Sequence, residues 1–146
     1  MFSKILVGYD GTPHSETAFR VALDLARKYK AELHAAAVAH LPDYPAVIDE
    51  VQGALSQAEE YYGRALAGIE MEARQARVSL KTHLLKGHAA QAILEMSERE
   101  GFDLIIIGAR PLSTVQRYLL GSVSAAIMRY SSCPVLVVKA SPRSGQ

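Results

Sequence analysis

Short apolar runs alternate along this chain with longer stretches of helical period, and that alternation predicts nine elements. Lys4-Ile5-Leu6-Val7-Gly8-Tyr9 reads as a buried strand, ended by the turn signal Asp10-Gly11-Thr12-Pro13. From Ser15 the period becomes helical. Ala18, Val21, Ala22, Leu25 and Ala26 recur at three- and four-residue steps, opposite Arg20, Asp24 and Lys28, and Ser15 offers an N-cap. Residues 33–38 form a second strand, whose alanines imply tight packing on both faces, and Leu41-Pro42-Asp43-Tyr44-Pro45 breaks it. Residues 47–76 make the longest helix. Its interior glycines, Gly53, Gly63 and Gly68, each weaken it by about 1 kcal/mol relative to alanine.

Residues 78–84 alternate with period two, the pattern of a strand with one wet face, and Lys86-Gly87-His88 turns the chain into a helix over 89–99. Residues 102–108 are the most apolar run and are expected at the sheet centre. After a loop, Gly121-Ser122-Val123-Ser124 opens a helix closing near Ser131, and residues 134–139 form the last strand. Such alternation predicts an α/β fold: one open parallel five-stranded sheet with helices on both faces, Rossmann-like, joined by right-handed crossovers. Residues 1–140 are expected to form one domain and 141–146 a flexible tail. In such sheets ligands bind beyond the carboxyl ends of the strands, where strand order reverses. That directs attention to the loops after the first and fourth strands.

Composition narrows the classes. With 49% hydrophobic and 21% charged residues in 146, the chain has an ordinary globular mix, which excludes disorder as its main state. Its longest apolar runs fall far short of the roughly 20 residues a bilayer span needs, and no secretory signal is legible, so a cytoplasmic location is expected. A net charge of +1 argues against nucleic acid or an anionic membrane as partner. One cysteine, Cys133, excludes an internal disulfide framework and a cysteine-based metal cage. Charge distribution says more than the total: residues 1–103 sum to −4, whereas 104–146 carry five basic residues and no acidic ones. Chance asymmetry explains this, or else the C-terminal third faces a small anion.

Most catalytic signatures are missing. There is no G-x-G-x-x-G, no G-x-x-x-x-G-K-[ST] and no G-x-S-x-G elbow. His34 and His83 fall inside predicted strands and read as structural; Cys133, before a proline at a helix end, reads as a packing residue. Asp10 is the sole acidic residue in the two crevice loops, so general acid–base catalysis lacks its second group, and the chain is not expected to be an enzyme. An anion site is legible instead. Gly121-Ser122 at a helix start offers free N–H groups and a positive dipole end, Ser122 and Ser124 add hydroxyls, and Arg110 and Arg117 lie in the preceding loop. The competing explanation for Gly121-Ser122 is a simple serine cap. Asp10 either takes hydrogen bonds from a sugar or base, or closes an Asx turn with Gly11.

These segments resemble the universal stress protein (Usp) family over about residues 2–139. The resemblance is carried by Lys4-Ile5-Leu6-Val7 with Asp10-Gly11-Thr12, Asp103-Leu104-Ile105-Ile106-Ile107-Gly108, Gly121-Ser122-Val123-Ser124, and Cys133-Pro134-Val135-Leu136-Val137-Val138. It implies strand order 3-2-1-4-5, a homodimer and, in some members, ATP bound through the motif G-x2-G-x9-G-[ST]; other members lack the motif and bind none. Carried over, Gly108 is the first motif glycine and Gly121-Ser122 the final pair, with Val123 and Ser124 following. Asp10, Gly11 and Thr12 match the acidic turn near the nucleoside, and Val38 matches the residue whose backbone meets adenine. The implied role is a stress-response regulatory binding module for an adenine nucleotide (ATP, ADP or AMP), with any Mg2+ arriving on the phosphates. Slow ATP hydrolysis is a minor reading, and the protein partner is unknown.

One motif position departs: Pro111 stands where the second glycine would be. Proline has no N–H to donate and cannot take glycine's left-handed conformations. The lost charge-assisted hydrogen bond is equivalent to about 1.5–3 kcal/mol, roughly ten- to a hundredfold in affinity. The alternative is therefore a nucleotide-free dimer acting through protein contacts. In the implied order the last strand is an edge. Val135, Leu136, Val137 and Val138 are apolar there, and pairing with a second copy would cover them.

Overall fold

The apolar runs form the interior of one parallel sheet in a computed structural model describing residues 1–40, 48–109 and 121–139. The elements are β1 (Lys4–Gly8), α1 (Pro13–Tyr29), β2 (Glu32–His40), α2 (Ile48–Gln75), β3 (Leu80–Gly87), α3 (Ala89–Glu100), β4 (Leu104–Ala109), α4 (Ser122–Tyr130) and β5 (Val135–Lys139). The sheet order is β3-β2-β1-β4-β5. Strand order therefore reverses between β1 and β4, as expected. The central strand is β1, with the more apolar β4 beside it. Both are covered on two faces, so hydrophobicity alone cannot rank them.

Alternation along each strand sorts side chains to two cores. Ile5, Val7, Leu33, Ala35, Leu104 and Ile106 face α1 and α2, packing on Phe19, Ala22, Leu66 and Ile69. Leu6, Ala36, Ile105 and Ile107 face α3 and α4, against Ile93, Met96 and Ile127. The glycines of α2 lie on its exposed side, where a Cβ would meet nothing within 4 Å among the described residues.

Several boundaries differ from the sequence reading, two of them for identifiable reasons. α1 starts at Pro13 with Thr12 as N-cap, and Ser15 is a buried residue of its first turn. Proline's fixed φ and missing N–H suit the first helical position, so the cap is the threonine before it. β3 starts at Leu80 because the C-terminal cap of α2 takes up the residues before it: Arg77 takes a left-handed φ of 58°, and the Val78 N–H bonds the Ala73 carbonyl at 2.9 Å. Residues 140–146, expected as a tail, lie outside the described residues.

Gly108 has a packing role beyond the motif. A Cβ there would sit 2.2 Å from the His14 carbonyl oxygen and 3.1 Å from the Ser15 nitrogen. The first turn of α1 therefore rests on the end of β4. This contact sets the loop after β1 beside the carboxyl end of β4.

Candidate functional site

The loop between β1 and α1 is built around Asp10. Its Oδ1 accepts from the Thr12 N–H at 3.0 Å and from the Thr12 hydroxyl. This is the Asx turn, so the structural alternative for Asp10 is realised, using one carboxylate oxygen. Gly11 takes φ +84°, a conformation in which any side chain would be strained. Because the Thr12 hydroxyl donates to Asp10, its 3.1 Å contact with His14 Nε2 requires that nitrogen to carry the proton. The Ser15 hydroxyl donates to the Thr12 carbonyl and accepts from the Asp10 N–H. Burial pushes the Asp10 carboxyl up, but the bonds from Thr12 and Ser15, with the charge of His14, outweigh it and hold the group below its ordinary range. Asp10 therefore stays ionised.

Thr12 thus serves as helix cap and carboxylate clamp together. Thr12→Ala is expected to lower stability by about 1–2 kcal/mol in urea denaturation, with Thr12→Ser restoring most of it.

At the start of α4, Gly121 is the N-cap, with φ −62° and no side-chain cap bond among the described residues. The first amide to bond back is Ala125, to the Gly121 carbonyl at 2.9 Å. The preceding N–H groups, of Ser122, Val123 and Ser124, belong to the helix start, which has no intrahelical partners for them and carries the positive dipole end. Ser122 and Val123 are exposed and Ser124 is buried. Gly121 needs no positive φ, and a Cβ there would meet nothing within 4 Å among the described residues. Neither strain nor packing among those residues accounts for a glycine. Arg110, Pro111 and Arg117 lie outside the described residues.

Val38 is half-buried near the end of β2, paired in register with Leu85, on the α3 side of the sheet. Of the sequence-predicted residues, Asp10, Gly11, Thr12, Val38 and Gly108 lie at the carboxyl ends of β1, β2 and β4, and Gly121, Ser122, Val123 and Ser124 open α4. Missed by the sequence reading was a groove of about 660 Å3 beside this loop on the α1–α2 face, lined by Tyr9, Gly11, Glu16, Tyr61, Arg64 and others. It does not coincide with the predicted crevice. Tyr9 follows β1 and Tyr61 sits on α2, so only the tertiary fold joins them. Burial, then the negative field of Glu16, Glu72 and Asp10, raises the Tyr9 phenol.

At the other sheet edge β5 pairs in register with β4, leaving Leu136 37% exposed and Val135, Val137 and Val138 half-buried. Among the described residues no group of three or more His, Cys, Asp or Glu could hold a metal ion, and no helix is long and apolar enough to cross a membrane.

Comparison with known proteins agrees with this fold. A sequence model of the Universal stress protein family matches residues 1–139. A universal stress protein of Thermus aquaticus is 34% identical over 145 residues, covering 95% of this chain and all of that one. A crystal structure of a universal stress protein in complex with cAMP superposes with a TM-score of 0.76 at 25% identity, covering 96% of this chain and 99% of that one. A family protein from Arabidopsis thaliana with AMP bound superposes with a TM-score of 0.74 at 18% identity, covering 99% and 95%, a likeness of fold.

Proposed function

Since the chain belongs to the universal stress protein family, we propose that it binds an adenine nucleotide at the carboxyl ends of β1 and β4. The phosphates sit on the N–H groups of Ser122, Val123 and Ser124, and the nucleoside lies toward Asp10 and Val38. The observation that carries this reading is Gly121: an N-cap glycine with ordinary φ and, among the described residues, open space at its Cβ position and no side-chain cap on the helix start that follows. A glycine there leaves room for an anion to reach the backbone. The relative crystallised with cAMP supports the ligand class. ATP is the leading ligand, with ADP and AMP fitting the same donors, and Mg2+ would come with the phosphates.

The protein acts in this reading as a cytoplasmic regulatory binding module in stress responses and not as an enzyme. One oxygen of Asp10 is committed to an Asx turn, which suits holding a ligand better than activating water. Two copies pair along β5, covering its apolar edge; light scattering at micromolar concentration is expected to give a dimer mass, and a monomer mass would remove this part.

Denaturing freshly purified protein is expected to release an adenine nucleotide identifiable by chromatography, and added ATP is expected to raise the Tm. An empty pocket together with an unchanged Tm favours the nucleotide-free dimer, the reading that Pro111 supports. Restoring the missing donor with Pro111→Gly is expected to tighten ATP binding by about tenfold or more in calorimetric titration; unchanged affinity refutes the donor explanation.

A further inference from the structure

A buried titratable chain lies at the opposite end of the sheet from the candidate site. His34 of β2 is 3% exposed. Its Nδ1 is 2.8 Å from Nε2 of His83 on β3, and its Nε2 is 3.0 Å from a Glu32 carboxylate oxygen. The two rings are parallel with centroids 5.0 Å apart, and the Phe102 ring meets His34 edge-on. His83 is half-buried, on the strand at the sheet edge, which among the described residues pairs only with β2.

We infer that Glu32, His34 and His83 form an acid-sensitive latch holding edge strand β3 to β2, closed when the histidine pair carries at most one added proton and released when it takes two. The hydrogen bonds dictate this count. In the neutral pair the His34 Nε2–H donates to Glu32, and His34 Nδ1 accepts from the His83 Nε2–H. One added proton enters at His83 Nδ1 while the His83 Nε2 proton crosses to His34 Nδ1. Both bonds survive, the inner one reversed. A second added proton would put N–H against N–H across 2.8 Å between two imidazolium rings. Half-buried His83 has a route to solvent, and leaving takes the contact with it.

The surrounding charges come from every element packed on the pair. Lys81 of β3 lies 3.4 Å from Glu32, and Lys4 of β1 lies 3.9 Å from Glu32 and over the Phe102 ring. Arg99 and Glu100 of α3 face His83, and Asp103 before β4 binds the Ser3 and Lys4 backbone. Burial, then the charge of His34, pulls the His83 imidazole below its ordinary value; Lys81 and Arg99 add to this, and Glu100 opposes it. The bond from His34, and then Lys81, hold Glu32 below the usual carboxylate range, so it stays ionised across the histidine range.

The sign follows from proton counting. Below pH ~6.5 the unfolded chain protonates His83, while burial and then the charge of His34 hold the folded imidazole back, so the folded state loses stability as pH falls from there. Depressed carboxylates act lower, below pH ~4, leaving the histidine window separate.

The test compares wild type with His83→Gln, whose amide can still donate to His34. Between pH 7.5 and 5.5 the wild-type Tm is expected to fall by roughly 4 °C, and the variant's by clearly less. A flat wild-type profile, or an equal fall in both, overturns the latch. Hydrogen exchange on the wild type, corrected for intrinsic pH dependence, is expected to lose protection in β3 while β1 keeps it. Uniform loss across both strands overturns it as well. This readout stands even where the variant fails to fold.

Discussion

Gly108→Ala is expected to destabilise the protein by about 3 kcal/mol, lowering the Tm by roughly 10 °C. The single added carbon would lie 2.2 Å from the His14 carbonyl oxygen and 2.6 Å from its carbon. Both are backbone atoms in the first turn of α1, so no side chain can rotate away. Relief requires that turn to lift off β4, disturbing the Thr12 cap and the Asp10 turn together. Gly63→Ala in exposed α2 is the matched contrast. A Cβ there meets nothing within 4 Å among the described residues, and alanine improves helix propensity by about 1 kcal/mol, so the Tm is expected to rise by about 3 °C. Thermal unfolding of the two variants checks the pair. Similar changes in the same direction would contradict the close packing of α1 on β4.

Gly121→Val is expected to weaken nucleotide binding by at least about a hundredfold while the fold stays intact. The backbone at Gly121 is extended, which valine tolerates, and a Cβ there has open space among the described residues. Losing a glycine cap in favour of valine costs the helix about 1 kcal/mol. The same branched side chain would stand at the helix mouth, where a phosphate must come close to the amides. A hundredfold loss corresponds to about 2.8 kcal/mol, about the strength of one charged hydrogen bond at the upper end of its range. Calorimetric titration with ATP, beside a melting curve of the unliganded variant, separates the two effects. Unchanged affinity in a folded variant would remove Gly121 from the site.

Much of this fold was legible because the strands announce themselves. Residues 4–8 and 104–107 are apolar runs too short for helices and bounded by turns, and their alternation with amphipathic stretches leaves few arrangements besides a parallel sheet. Boundaries were harder where two residues compete for one role. Ser15 and Thr12 both suit a cap, and the decision belongs to Pro13 between them. Gly108 was visible as a motif glycine, but its contact with His14 arises across 94 positions of sequence and cannot be read from either segment. The groove between Gly11 and Tyr61 and the His34–His83 bond are tertiary in the same way. Asp10 shows the opposite case: the Asx turn was one of two readings open from the sequence, and the geometry realises it.

The most direct measurement follows the backbone amide signals of Ser122, Val123 and Ser124 by NMR while ATP, and separately AMP, is added to the folded dimer or monomer. Those three signals are expected to move together and saturate, and signals from Asp10 and Val38 are expected to follow the same curve. Amides at the start of α4 that stay unmoved in millimolar nucleotide would contradict phosphate binding there.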